Sequence, residues 1–237
     1  MKTTTIYWCY GNPHQIKAKA PTPVLAHYFA SDKKVHKTPA QDLDYIRCPS
    51  FRSAYTNTFA LRYIHDYKLE INNGKLSSND FNQEFYDLHV RVRNLDAHEV
   101  SIESPYIFVA EDDDMEMEYR HSAMENNAFN KSAILIIGDI NIGKYVRGTE
   151  CAFHMRENKM EIKEDDVYAY VKFRTDKKIV LKQFLWKPEI TEPANTAING
   201  ITLFRKRIFK PLDWYYKKQQ AFKVKERTLK MIKENLL

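Results

Sequence analysis

Val167-Tyr168-Ala169-Tyr170-Val171-Lys172-Phe173 is the stretch that decides the fold: five of its seven residues are β-branched or aromatic, and none is a strong turn former. Such a run fits a pleated, buried surface better than a helix. The same composition recurs upstream in Thr5-Ile6-Tyr7-Trp8, Thr58-Phe59-Ala60-Leu61-Arg62-Tyr63, Tyr67-Lys68-Leu69-Glu70-Ile71, Tyr106-Ile107-Phe108-Val109 and Ala133-Ile134-Leu135-Ile136-Ile137. With only six glycines, no Gly/Ser linker and no fixed repeat, these strands predict one mainly β domain over residues 1–190. Its expected form is an antiparallel barrel or sandwich, β-clip or jelly-roll-like.

Two connections point to antiparallel pairing. Asn73-Gly74, between Leu69-Glu70-Ile71 and Lys75-Leu76, tolerates the positive φ values of a type I′ hairpin turn. Thr175-Asp176-Lys177 predicts a second hairpin, joining Phe173 to Ile179-Val180-Leu181. Between residues 49 and 57, Pro49 at a first helical position predicts a short helix.

Beyond Pro188 and Pro193 the pattern changes. Apolar residues fall at Leu212, Tyr215, Phe222, Leu229, Ile232 and Leu236 with lysines between them, so residues 191–237 read as a basic C-terminal extension carrying an α-helix. Tyr215, Phe222, Leu229 and Leu236 repeat every seven residues, yet the companion positions Gln219, Glu226 and Lys233 are polar. The expectation is a helix packed on its own domain or on a neighbouring subunit, not a free coiled coil.

Charge follows the same division. The chain carries a formal +6, but residues 205–237 hold 11 Lys and Arg against 3 acids, leaving the rest slightly acidic. An anionic partner, or an acidic docking surface, is therefore expected for the tail alone. Arg205, Lys206, Arg207, Lys210, Lys217 and Lys218 are its candidate contacts; interleaved with Phe204, Phe209, Trp214, Tyr215, Tyr216 and Phe222, they have the chemistry to hold nucleic acid. The simpler expectation is that the rings form the buried face of an amphipathic helix and the lysines its wet face.

Cys9, Cys48 and Cys151 are scattered and odd in number, which fits a reducing compartment. The N-terminus lacks the apolar stretch of a secretory signal, and no run approaches the length of a membrane span. No membrane association is expected.

Gly138-Asp139-Ile140-Asn141-Ile142-Gly143-Lys144 matches the first part of a phosphate-binding loop. Tyr145 then stands where a Mg²⁺-binding Ser or Thr is required, and Val146-Arg147-Gly148-Thr149 predicts turn or strand instead of helix. A glycine-containing β-turn is the expectation. The acids Glu111-Asp112-Asp113-Asp114, Glu116 and Glu118 lack the glycine of a calcium loop. They read as a solvated strand connection or as the surface on which the tail docks. The histidines, at positions 14, 27, 36, 65, 89, 98, 121 and 154, show no H-x-D/E facial triad. His154 is expected in a strand, partly buried and hydrogen-bonded. Neither metal nor cofactor is expected.

Gly138-Asp139-Ile140-Asn141, Tyr145-Val146-Arg147-Gly148, Phe153, Ile162-Lys163-Glu164-Asp165-Asp166 and Ala169-Tyr170-Val171-Lys172-Phe173 together resemble the central region of the deoxyuridine triphosphatase and dCTP deaminase β-fold. That resemblance implies a nucleotide near Asp139, Asn141, Lys144, Tyr145 and Arg147, with Tyr145 over the nucleoside. Asn141 stands at the family's catalytic aspartate, and an amide cannot serve as a general base toward water. The family's glycine-rich phosphate motifs are missing.

Over most of the chain, Cys48-Pro49-Ser50-Phe51 with Asn57 and Thr58, Pro105-Tyr106-Ile107-Phe108, Gly138 through Arg147, Phe173 with Thr175-Asp176, Ile179-Val180-Leu181-Lys182 and the basic helix resemble uncharacterised proteins of marine tailed bacteriophages. Where that group carries a Lys-Trp-Phe-Arg-Pro-like sequence, this chain has Lys144-Tyr145-Val146-Arg147. The resemblance implies a phage origin, in the host cytoplasm or the virion, and supplies no catalytic residue. The resulting expectation is a non-enzymatic protein that acts by binding a protein partner or itself. The alternatives are a nucleotide-processing enzyme of β-clip type and a metal-dependent oxygenase with a barrel core.

Overall fold

A computed structural model describes residues 2–10, 19–25, 48–78, 90–104, 106–190 and 212–237. The strands are β1 (Thr3–Tyr10), β2 (Thr22–Pro23), β3 (Thr58–Arg62), β4 (Tyr67–Asn72), β5 (Lys75–Ser77), β6 (Val90–Asn94) and β7 (Glu99–Ser104). They continue with β8 (Tyr106–Ala110), β9 (Glu116–Arg120), β10 (Ala133–Leu135), β11 (Gly138–Asn141), β12 (Thr149–Met155), β13 (Lys159–Ile162), β14 (Val167–Phe173) and β15 (Lys178–Gln183). Two short helices, α1 (Pro49–Tyr55) and α2 (Ala128–Ser132), interrupt them, and α3 (Leu212–Ala221) and α4 (Val224–Lys233) end the chain.

The protein is mainly β, with several antiparallel sheets and a helical C-terminus. Four sheets form, in the orders β15-β1-β8, β10-β12-β7-β6, β11-β9-β14-β3-β2 and β13-β4-β5. The chain passes from one sheet to the next within residues 133–141, where β10 pairs with β12 and β11 with β9.

β14 lies at the centre of its sheet, and its aromatic run is buried on both faces. β3 and β9 take both of its edges. This corrects the second expected hairpin: with no edge left on β14, β15 runs away from it and pairs in parallel with β1. Asn57 Nδ2 ties the connection down by donating to the carbonyls of Thr175 and Lys177 at 2.8 and 3.0 Å. The hairpin at Asn73-Gly74 does form between β4 and β5, with φ of 50° and 68° at the two turn residues. Pro49 opens α1, and Lys172 and Arg120 donate to carbonyls of its last turn, Ser53 and Ala54, where the helix dipole favours cations.

From Ile6 onward β1 is buried on both faces, as is all of β8, which explains the unbroken apolar runs from Ile6 to Tyr10 and from Tyr106 to Ala110. Ile6, Trp8 and Tyr10, with Tyr106, Phe108 and Ala110, point into the main core. The alternate residues Tyr7, Cys9, Ile107 and Val109 meet Ile232 of α4, Phe184 and Ile190 in a second cluster. Each such side chain contributes about 1.5–3 kcal/mol on full burial.

The single C-terminal helix is corrected to two. Lys223, at φ 49°, adopts a left-handed conformation between α3 and α4. The break lets α3 turn Tyr216 and Gln219 to residues 145–147 while α4 presents Lys225, Thr228 and Ile232 to the body. The seven-residue pattern is no seam, because Phe222 is 62% exposed. Past α4, the Leu185 and Leu237 amides donate to the Asn235 and Gln183 carbonyls, stitching the chain end to the end of β15. No described helix is long and apolar enough to cross a membrane.

Candidate functional site: the turn after β11 and the arm upon it

β11 lies at the edge of its sheet, and the chain turns sharply at Ile142-Gly143-Lys144. No helix follows Lys144, in accord with Tyr145 breaking the phosphate-loop pattern. The turn is held from within by Asn141, whose Oδ1 accepts the Lys144 amide at 2.7 Å. It is held from outside by the acidic β8–β9 connection: the Gly143 amide donates to the Met115 carbonyl at 3.1 Å, and the Ala110 amide to the Ile142 carbonyl at 3.2 Å. A Cβ on Gly143 would lie 2.3 Å from the Asp112 carbonyl oxygen and 2.5 Å from that of Asp113. Gly143 is thus required for close backbone packing, not for cradling a phosphate.

The five turn candidates divide between two networks. Asp139 forms a two-oxygen contact with Arg174 Nη2 at 3.1 and 3.0 Å. Arg174 also reaches Glu118 at 3.2 Å and Glu116 at 3.6 Å. Glu118, in turn, is gripped by Arg120 at 2.7 and 3.0 Å. The guanidinium of Arg120, aided by Arg174, holds the Glu118 carboxyl below the usual carboxylate range against the cost of its burial.

The other four lie along the turn itself. Lys144 Nζ stands 3.8 Å from Asp114. Tyr145 stacks on Tyr216 of α3, with centroids 3.9 Å apart and planes 16° from parallel. Arg147 Nη1 donates to the Tyr216 hydroxyl at 2.6 Å and its Nε to the Gly148 carbonyl at 3.1 Å. Between them Val146 is buried and paired through its backbone with Gln219. Tyr145 and Arg147 thus converge on one internal phenol.

The acidic run is where the arm docks. Lys225 Nζ pairs with Asp113 and donates to the Glu111 carbonyl at 3.1 Å, and Lys233 lies 2.9 Å from the Glu111 carboxylate. Glu111 also accepts the Tyr7 hydroxyl at 2.8 Å. Lys233 lowers the Glu111 carboxyl, while burial and Glu111 push the Tyr7 phenol up to about 12. From the β14–β15 connection, Lys177 pairs with Asp112 at 2.7 Å. A cleft of about 300 Å³ remains between Asp112, Asp113, Asp114 and Met115 on one side and Arg174, Thr175 and Lys177 on the other. Among the described residues no three His, Cys, Asp or Glu side chains are grouped to hold a metal ion.

Of the tail candidates, Lys217 and Lys218 are exposed on α3, while Arg205, Lys206, Arg207 and Lys210 lie outside the described residues. His154 sits in β12 as expected but is exposed, which corrects its expected partial burial: its neighbours Phe153 and Met155 are buried in the core, so the alternation of the strand turns His154 to the opposite face. Sequence reasoning missed Tyr216, Gln219 and Arg174 as the partners of the turn. The one available signal was the polar Gln219 in an otherwise apolar spacing. No protein-family model matches the chain, and no curated protein matches it closely enough to count as a relative.

Proposed function

We propose that this is a non-enzymatic phage protein that acts by binding a protein partner, in the host cytoplasm or in the virion. The observation that carries this reading is the corner between β10 and β11. There Ile134, Ile136 and Ile137 are 36%, 43% and 64% exposed, three large apolar side chains within four positions where the edge strand β10 ends and the chain crosses to the edge strand β11. Exposed apolar clusters on edge strands are points of association. The turn residues favour the same reading, since each already has an internal partner. A β-clip or jelly-roll-like sandwich is the body we assign; the passage of one extended segment between two sheets at this corner supports it.

The test is mass spectrometry of purified particles from wild-type phage and from phage carrying Ile136→Asp with Ile137→Asp. Presence in the first and loss from the second is the expected outcome. A chain absent from wild-type particles sinks the virion role, and one retained in the variant sinks the corner as the contact.

A nucleotide-processing activity is the second reading, and one observation favours it: Tyr145 and Arg147 already grip a ring and its hydroxyl in Tyr216. Phosphate release from a nucleotide panel would establish it in place of the first.

A further inference from the structure

We propose that the outward face of α3 is a platform for single-stranded nucleic acid, a second binding surface separate from the isoleucine corner. The inward face of α3 is committed to the body through Tyr216 and Gln219. Trp214, Lys218 and Phe222 follow one another at four-residue intervals and so form a single ridge on another face. The helical hydrogen bonding reaches Phe222, whose amide donates to the Lys218 carbonyl at 3.0 Å. Trp214 is 38% and Phe222 62% exposed. Lys218 Nζ lies between the rings, 5.3 Å from the Trp214 centroid and 5.6 Å from that of Phe222. Lys217 and Lys223 are exposed beside the ridge.

Lys225 and Lys233 dock the arm on Asp113 and Glu111, while Lys217 and Lys218 of α3 are exposed. Two rings eight residues apart along the helix, with an ammonium between them and others alongside, match a partner that alternates flat π-faces with anions. An unpaired nucleic-acid strand has that chemistry: bases stack on the rings and phosphates meet the lysines. Duplex DNA fits less well because its bases already stack on each other. An anionic membrane fits less well too, since Lys218 divides the rings and the described neighbours Lys217 and Gln220 are polar and exposed.

The experiment uses the full chain and a fluorescent oligo-dT of about twelve nucleotides, read by anisotropy from about 50 to 200 mM salt. The expected result is binding that weakens steeply with salt and exceeds binding to a duplex of equal length. Trp214→Ala and Phe222→Ala should each weaken it about tenfold, and Lys217→Gln with Lys218→Gln should flatten the salt dependence. Urea midpoints of the variants verify that the fold is kept. Failure of the oligonucleotide to bind at the lowest salt overturns the proposal, as does unchanged affinity in both ring variants. Equal displacement by the duplex, by phosphatidylglycerol vesicles or by polyglutamate also overturns it, showing a surface that reads charge without stacking bases.

Discussion

Gln219 offers both ends of its side-chain amide to the backbone of Val146: Nε2 donates to the Val146 carbonyl at 2.8 Å, and Oε1 accepts the Val146 amide at 3.0 Å. The pair joins residues 73 positions apart and is buried. One side chain of α3 thus takes the place of a neighbouring strand beside an otherwise unpaired residue.

Replacing Gln219 by leucine strands both Val146 groups in an apolar setting. We expect a loss of about 2–4 kcal/mol from two orphaned buried groups, read as a lower urea midpoint. Gln219→Glu keeps the acceptor but sets a carboxylate against the Val146 carbonyl, so it should be no milder than leucine. Wild-type stability in both variants would show that the arm docks without this contact.

The two glycines of the apparent phosphate loop should respond oppositely. A Cβ on Gly143 meets two backbone carbonyl oxygens well inside contact distance, whereas one on Gly138 meets nothing within 4 Å. Gly143→Ala should cost about 1–3 kcal/mol or more, because backbone rather than a flexible side chain must move. Gly138→Ala should be close to neutral. Thermal unfolding of the two variants side by side checks the contrast.

Lys225 is nearly buried while its partner Asp113 is largely exposed. Lys225→Met therefore keeps the packing of the stem and loses the hydrogen bonds to Asp113 and the Glu111 carbonyl, for about 1–2 kcal/mol. Lys233→Gln, at a half-exposed pair, should cost only about 0.5 kcal/mol. Limited proteolysis should cut the 212–237 arm faster in Lys225→Met than in Lys233→Gln.

Glu118 sets a pH dependence. Its carboxyl is lowered in the folded protein, first by Arg120 and then by Arg174. The stabilisation is therefore present above the unfolded value of about 4.3 and is lost as pH falls through the lower folded value. At neutral pH Glu118→Gln should destabilise by about 1.5–3 kcal/mol. That gap should close as urea unfolding is repeated down to about pH 3; a gap independent of pH would mean that shape, not charge, is what Glu118 supplies.

Much of the local structure was legible in the chain. The alternation of Tyr67-Lys68-Leu69-Glu70-Ile71 appears in β4 as alternating burial, and Asn73-Gly74 makes the turn because few other residues accept two positive φ values. Pro49 begins α1 for an equally local reason. The Thr175-Asp176-Lys177 turn misled because turn residues mark where a strand stops, not which strand comes next. β14 had already given both edges to β3 and β9. The acidic run and the basic tail were legible as complementary charges, and among the described residues two of the lysines, Lys225 and Lys233, do meet it. Which two depends on the left-handed break at Lys223, which carries no glycine to announce it.

By itself the sequence determined the class of each segment, the separation of an acidic body from a basic arm, and the failure of the phosphate-loop pattern at Tyr145. These follow from periodicity, composition and backbone preference, which act over a few residues. The tertiary structure alone decided that β15 pairs in parallel with β1, that α4 covers the outer face of β1 and β8, and that Tyr145, Val146 and Arg147 are held by Tyr216 and Gln219. Those pairings join residues far apart in the chain, and each is set by which edges and buried polar groups the other elements leave unsatisfied.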